Sequence, residues 1–433
     1  MKIVYLITGS GGSFYCANCY RDMLYVKAIR KVPGTKAKAI PLYLPPDEDV
    51  DKDHEMDTNV FFGAISMYLR EKVKIFRNMP MFLERFFGLK PFLKLAAHMA
   101  GTTRSEGLED LTLNMIKGDA TFRKDEVKRL IKYLNSDGKP DIIHISNALI
   151  LGLARQLKKR INVKIVCSLL NEDDWINDMS EPYQDKAWKM MAEESEYVDA
   201  FVTPSRYSKE QFISQTGVKG DNIHIIPLGF DAPDPDKSKD QSRSPAIGYF
   251  CRISEHNGFD KLVDAFIEIK SSNIIPGLTL NVCGGYTADD KPFISKQIKK
   301  IREYGFQKSI KIYPEFVGNK KAEFFTNVDV ISVPVRKYDG YGFYVLEANA
   351  AGVPVVQPAT GAFPEILEIT GGGIIYSPDT ISELSKSMVK VLTDHELRKK
   401  LAETGSVKVR SELSLDKMSK GLSEVYSKMF KKN

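Results

Sequence analysis

The chain is short of cysteine, tryptophan and histidine, carries little net charge and has no long apolar run. Each shortage closes off a class of protein. Five cysteines in 433 residues cannot brace a disulfide scaffold, and their odd number and scattered positions suit a reducing compartment. Cys16 and Cys19 form a Cys-x-x-Cys pair, but there is no second such pair and no His-x-x-x-His, so a zinc site lacks two of its ligands. The glycines beside the pair suit a phosphate loop rather than a redox motif. Trp175 and Trp188 are too few for a sugar-stacking platform. No stretch reaches the roughly 20 apolar residues of a membrane span. The run 3–7 behind Met1-Lys2 is too short for a signal-peptide core. A formal charge of +6 is mild for a nucleic-acid binder. The expectation is a cytoplasmic chain, held at most at the inner face of a membrane, with no nucleic-acid partner.

What is present reads as two α/β domains. Hydrophobic residues at 43% and charged residues at 27% are ordinary globular values, and the length suits two large domains. The run 3–7 leads into Gly9, Gly11 and Gly12, then into a helix expected at 18–30. Strand, glycine-rich turn and helix make a Rossmann-like opening, although the Gly-x-Gly-x-x-Gly spacing is absent. Strand-like runs recur at 141–145, 162–168, 200–203 and 223–226, with helical stretches between them. That alternation predicts a mainly parallel sheet. Residues 232–244 can build no core and read as a linker. The pattern then restarts, with strands expected at 246–251, 278–283, 310–312, 328–333 and 353–356, a helix at 259–270 and helix from 381 to 429. The expected organisation is a domain over 1–231 and a second over 245–433, whose last helix is a candidate to pack back on the first.

A stretch around 60–125 interrupts the first domain. From Arg70 to Arg104 eight basic residues, all but Arg104 interleaved with Phe, Met and Leu, face only Glu71 and Glu84. Such a pattern suits an interfacial membrane contact over 60–104, or ordinary helices with solvated lysines. The acidic run 47–53 has Asp-x-Asp spacing in a polar stretch and reads as a solvated loop.

Residues 338–366 carry the densest signal. A strand ends, Asp339-Gly340-Tyr341-Gly342 turns, and a helix is expected at 343–351 before Gly352 and Pro354 stop it. A helix N-terminus then opens at a strand's carboxyl end, where open α/β sheets bind ligands and amide dipoles suit phosphate. Asp339 and Glu347, eight positions apart, can grip sugar hydroxyls on either side of a diphosphate. The alternative on spacing alone is a tight turn with two solvated acids.

At this point the sequence resembles the family 4 retaining glycosyltransferases, which have the two-domain GT-B fold. The family pattern of acid, seven residues, Glu, then Ala-Gly-x-Pro-Val-Val and Gly-x-x-Pro-Glu is met in order by Asp339, Glu347, Ala351–Val356 and Gly361–Glu365. The resemblance extends to the N-terminal glycine loop, the 141–147 strand, the 202–208 segment and the 225–231 boundary. It implies two Rossmann-like domains facing across a cleft, the first for the acceptor and the second for the nucleotide sugar. It further implies that Glu347 holds the donor ribose and that Asp339, standing where the family usually has Glu, contacts the donor sugar. Backbone amides of Gly340, Tyr341, Gly342, Phe343 and Tyr344 would face the sugar and distal phosphate. Arg252 would clamp the diphosphate, and Gly11 and Gly12 would let the first loop approach it. Asn257 stands at a donor position where the family commonly has Lys, so one positive charge is missing. His144 matches the first place of the family's His-x-His pair, and Ser146 holds the second. As a catalytic candidate His144 competes with a purely structural strand histidine. Glu172 and Asp173, after the strand ending near Ser168, are candidate acceptor contacts, against a solvated acidic loop.

The resemblance implies a front-face displacement, in which the nucleotide phosphate leaves as an acceptor hydroxyl attacks. Arg252, the helix dipole and the turn amides stabilise the developing diphosphate charge, so no metal and no cofactor are expected. The donor would be a UDP-, GDP- or ADP-sugar, and the acceptor a glycan, a lipid-linked oligosaccharide or a glycolipid. Two other readings stay open. One is a catalytically weakened homologue that binds a nucleotide sugar or a partner, as Asn257 and Ser146 suggest. The other is a GT-B enzyme of another reaction, such as a phosphorylase or an epimerase.

Overall fold

The structure, a computed structural model, describes residues 1–8, 17–42, 107–118, 124–136, 138–232, 243–313, 316–337 and 339–431. Gly11, Gly12, Cys16, the acidic run 47–53 and the aromatic and basic stretch 60–104 lie outside the described residues. The chain divides into two compact units.

The first unit is built on six parallel strands, β1 (Lys2–Ile7), β2 (Lys36–Pro41), β3 (Ile142–Ile145), β4 (Lys164–Ser168), β5 (Ala200–Thr203) and β6 (Ile223–Ile225). Their order is β2-β1-β3-β4-β5-β6. In β1 the residues Ile3 to Ile7 are all buried. That explains why the run reads as continuous apolar sequence rather than as alternation, since helices cover both faces of a parallel sheet. Ile3 lies beside Ile142 and Leu6 beside Ile145. The helices start and stop on readable signals. Ser205 accepts the Ser208 amide at the head of Arg206–Thr216, and Gly217 ends it in the left-handed region. Because β1 has β2 on one side and β3 on the other, the connections diverge at its carboxyl end, the usual place for a ligand.

The second unit repeats the plan with β7 (Ala246–Phe250), β8 (Thr279–Cys283), β9 (Ile310–Tyr313), β10 (Val330–Ile331), β11 (Val355–Pro358) and β12 (Gly373–Tyr376). The order is β12-β11-β10-β7-β8-β9, again all parallel. The switch point falls between β10 and β7. Strand β10 is shorter than the sequence expectation of 328–333, because the Val333 amide bonds to the Gln357 side chain at 3.0 Å instead of to a strand. The two units are thus two Rossmann-like domains.

The helical tail expected from 381 to 429 is three helices, Ile381–Thr393, His395–Glu412 and Leu415–Lys428. Asp394 breaks the first from the second by leaving helical geometry and capping the Leu397 amide. The last helix groups with the first unit and not with the second, whose run ends at Ser414. In that helix Leu415, Met418, Leu422 and Tyr426 are buried, and Tyr426 bonds to β1 and β3. No described helix is long and apolar enough to cross a membrane.

Candidate functional site

In the second unit the candidate residues follow β7 and β10, which are neighbours in the sheet. The Cys251 amide donates to the Cys283 carbonyl at 3.1 Å and the Ile253 amide to Gly285 at 2.9 Å, which joins the loops after β7 and β8. Arg252 is held within this frame. Its Nε donates to Asp290 Oδ2 at 2.9 Å, and its Nη2 to Asp290 Oδ1 at 3.1 Å and to Thr287 Oγ1 at 3.0 Å. Asp290 in turn closes a capping box with Thr287, so the guanidinium is a rigid, pre-oriented cation. The Thr-x-x-Asp pattern that builds this clamp is present in the sequence at 287–290 and was the available signal for Asp290.

Asn257 has a local task. Its Nδ2 donates to the Arg252 carbonyl at 3.0 Å, and its own amide donates to Ser254 Oγ at 3.2 Å. It ties the turn that carries Arg252. Gly258 follows at φ +69°, and a Cβ there would lie 1.8 Å from the Pro334 carbonyl oxygen, so no other residue fits.

The turn before the helix Phe343–Ala350 is closed by Asp339. Its Oδ1 accepts from the Tyr341 amide at 2.9 Å and from Gly342 at 2.7 Å. A carboxylate oxygen of the chain itself thus occupies the anion position that these amides create. Gly342 sits at φ +66°, and a Cβ there would meet the Phe363 ring at 2.6 Å. Every residue of the helix is buried. Tyr341, Phe343 and Tyr344 are packed inside, which leaves backbone rather than side chains to reach a ligand from those positions. Burial pushes the Tyr344 phenol up, with Asp339 adding to the effect.

Glu347 is 4% exposed and pairs through Oε1 with Lys321 Nζ at 2.8 Å. Lys321 carries no signal in the sequence: it lies on the separate helix Gly318–Thr326, and nothing in its spacing points to position 347. Two thiols show that these charges share one neighbourhood. Burial, then Asp339 and more weakly Glu347, push Cys251 up. Burial, with Glu347 adding and Lys321 opposing, pushes Cys283 up to about 12. The arrangement offers a buried carboxylate, a fixed guanidinium and a turn of backbone amides at one sheet edge. That set can take a sugar diol and an anion together.

In the first unit His144 is held on both sides by protein groups. It is 1% exposed, and both ring nitrogens are engaged, Nδ1 with Tyr426 Oη at 2.6 Å and Nε2 with Ser168 Oγ at 2.8 Å. The ring stacks on Tyr5 at 4.8 Å between centroids. Burial, with the Arg21 charge acting the same way, pushes the imidazole down to about 3. His144 is therefore a neutral core residue that ties β3 to β4 and to the last helix. Ser146 likewise has a structural partner. Its hydroxyl donates to Asp22 Oδ2, and its carbonyl accepts from Arg21 Nη2. Arg21 and Asp22 form a wholly buried ion pair that the sequence concealed within a helical run.

Glu172 is also spoken for. One carboxylate oxygen accepts the Ala148 amide at 3.0 Å and the other the Leu170 amide at 2.8 Å. It braces the loops that follow β3 and β4. Asp173, beside it, is 7% exposed, and its Oδ2 has no hydrogen-bond partner among the described residues. Burial, reinforced by Asp174 and Glu172, pushes its carboxyl up to about 7. Among the described residues no three His, Cys, Asp or Glu side chains gather as a metal-holding set.

The profile described as Glycosyl transferases group 1 matches residues 232–407, and the profile described as Glycosyltransferase Family 4 matches residues 113–233. A D-inositol 3-phosphate glycosyltransferase of Xylanimonas cellulosilytica is 23% identical over 250 residues, covering 54% of this chain and 58% of that protein. The lipopolysaccharide core biosynthesis mannosyltransferase LpsB of Rhizobium meliloti is 25% identical over 191 residues, covering 43% and 52%. The chain thus spans about half the length of these curated relatives. Among solved structures, Anabaena Alr3699/HepE in complex with UDP and glucose superposes with a TM-score of 0.69 at 16% identity, covering 99% of both chains. At that identity the likeness speaks for the fold.

Proposed function

The chain belongs to the group 1 glycosyl transferases of family 4, and from that membership we propose that it is a retaining, metal-independent glycosyltransferase using a nucleotide-diphosphate sugar. The observation that carries the reading is the cluster of Glu347, Arg252 and the Asp339 turn at the switch point of the second sheet. Glu347 accepts the ribose hydroxyls of the donor. Arg252, already aligned by Asp290, supports the diphosphate, and the amides of Tyr341 and Gly342 take up the anion in place of Asp339 Oδ1. Asp339, released from the turn, meets a sugar hydroxyl. An acceptor hydroxyl forms the new bond at the anomeric carbon on the face from which the nucleotide diphosphate leaves. Its proton passes to the departing phosphate oxygen. The fixed cation and the amides stabilise that charge as it develops.

A uridine donor is supported by the structural relative holding UDP and glucose, and GDP- and ADP-sugars are the other candidates. An inositol, glycan or lipid-linked acceptor is supported by the names of the relatives. The reading includes contact with the inner face of a membrane through 60–104. The test is a thermal-shift panel of UDP, GDP, ADP and their sugar conjugates, with and without EDTA. One nucleotide should raise Tm by mass action, with EDTA making no difference and Glu347→Ala abolishing the shift. Silence across the panel, or a shift that needs a metal, would overturn the proposal in that respect.

A further inference from the structure

We infer that Lys321 is a positioning residue for the ribose of the donor. By holding one oxygen of the Glu347 carboxylate it fixes that group to take the adjacent 2′- and 3′-hydroxyls of a nucleoside diphosphate, and so sets the preference for a ribonucleotide over its 2′-deoxy form. The inference rests on the glycosyl-transfer reading above and adds a residue on which the contact to the sugar diol depends.

The sequence offers two adjacent lysines, and the fold sends them to different tasks. Lys320 Nζ pairs with Glu323 Oε2 at 2.8 Å on its own helix, a surface contact of small worth. Lys321 reaches across to Glu347 Oε1 at 2.8 Å, 26 positions away on another helix. Its placement is set by packing. Phe324 and Phe325 follow it at the spacings that share one side of a helix. Both are buried, and their rings lie 5.5 and 4.9 Å from that of Phe250. Phe250 ends β7 and stands just ahead of Cys251 and Arg252. The helix that carries Lys321 is therefore seated on the strand end that carries the guanidinium. Glu347 and Lys321 both act on the Cys283 thiol at the end of β8, which puts the pair at the carboxyl edge of the sheet, where such sheets bind ligands.

The Glu347 side chain is 3% exposed and that of Lys321 30%. A carboxylate this deep requires a cation beside it. A glutamate side chain that must be ordered when a ligand arrives also subtracts that entropy from binding. Lys321 orders it beforehand through a charge-assisted hydrogen bond. A carboxylate has roughly four acceptor positions, so bonding an ammonium does not prevent it from accepting hydroxyls as well. A fixed buried acceptor discriminates sharply, because a 2′-deoxy sugar leaves it without its hydrogen bond. A carboxylate free to turn away discriminates less.

The test is isothermal titration of the full chain with UDP, GDP and ADP, each against its 2′-deoxy counterpart, with Tm measured alongside. Wild type should prefer its ribonucleotide at least about tenfold, the loss typical of one hydrogen bond to a charged group. Lys321→Met, which keeps the apolar stem, should cut that preference to about threefold or less. It should do so by weakening the ribonucleotide while the deoxy form binds as in wild type. Lys321→Arg should restore most of the preference. Lys321→Gln still donates to Glu347 without the charge; it should fall between, and it serves if the Met variant does not fold. Lys320→Met should leave the preference untouched. The inference is overturned if Lys321→Met and Lys321→Gln weaken both nucleotides at an unchanged ratio, as a merely structural role would. It is overturned equally if Lys321→Met binds the ribonucleotide as tightly as wild type. A wild type that binds a nucleotide but ignores its 2′-hydroxyl would sink the inference and leave the transferase reading standing. A wild type that binds no nucleotide would sink both.

Discussion

A strand histidine in this fold invites a catalytic role, but His144 has both nitrogens bonded and sits under Tyr5. The sequence could show that a second histidine was missing at Ser146 and could not show Tyr426, which lies 282 positions away. Its protonation has a measurable signature. The ordinary imidazole value near 6.5 falls to about 3 in the fold, so between those values the unfolded chain binds the extra proton. The stability contributed is complete above about 6.5 and drains away as pH falls toward 3, at up to roughly 1.4 kcal/mol per pH unit. Urea midpoints taken from pH 4 to 8 should show this limb in wild type and a flatter one in His144→Gln. An unchanged slope would mean that the imidazole titrates normally. Site residues divide in the same way. Asp339 and Glu347 were legible because a turn and a helix fix what eight positions mean. Lys321 and the Arg21–Asp22 pair were not, since their roles depend on partners brought by other elements or on a burial that charged residues do not advertise.

At the scale of elements, the alternation of apolar runs and helical stretches foretold both parallel sheets, because strands buried on both faces are written as unbroken apolar sequence. It overstated β10, where a glutamine side chain replaces a strand neighbour. The turn ahead of Phe343–Ala350 explains why aspartate stands at 339. Its short side chain reaches the amides two and three residues on, an Asx geometry that suits Asp and Asn. Asp339→Glu, although it restores the residue usual in the family, should therefore loosen the turn and lower Tm by about 2–4 °C for each kcal/mol lost. Asp339→Asn should keep Tm near wild type while weakening donor binding, because it preserves the turn and loses the charge. Equal melting of the Glu variant and wild type would show that the turn does not depend on this side chain. Melting curves with and without nucleotide separate the two effects.

Across the whole molecule, the two Rossmann-like units were readable from the restart of the pattern after 244, and the last helix was a candidate to pack back on the first without a named partner. Amphipathic spacing says that Leu415–Lys428 buries a face and does not say against what. The structure answers with Tyr426, whose hydroxyl meets Tyr5 at 2.7 Å and His144 at 2.6 Å. Tyr426→Phe should leave those two polar groups buried without their partner, at a cost of about 1–3 kcal/mol for each. Hydrogen exchange in β1 and β3 should then accelerate, while β7 and β8 stay protected. Equal exchange in both units would refute the assignment. The same feature has a consequence for synthesis. A ribosome releases the strands of the first unit early, yet their buried histidine must wait for a tyrosine made almost 300 residues later. The second unit, whose main run ends at Ser414, can finish folding while the first is still open. Birth order and completion order are reversed, and the first domain begun is the last one closed.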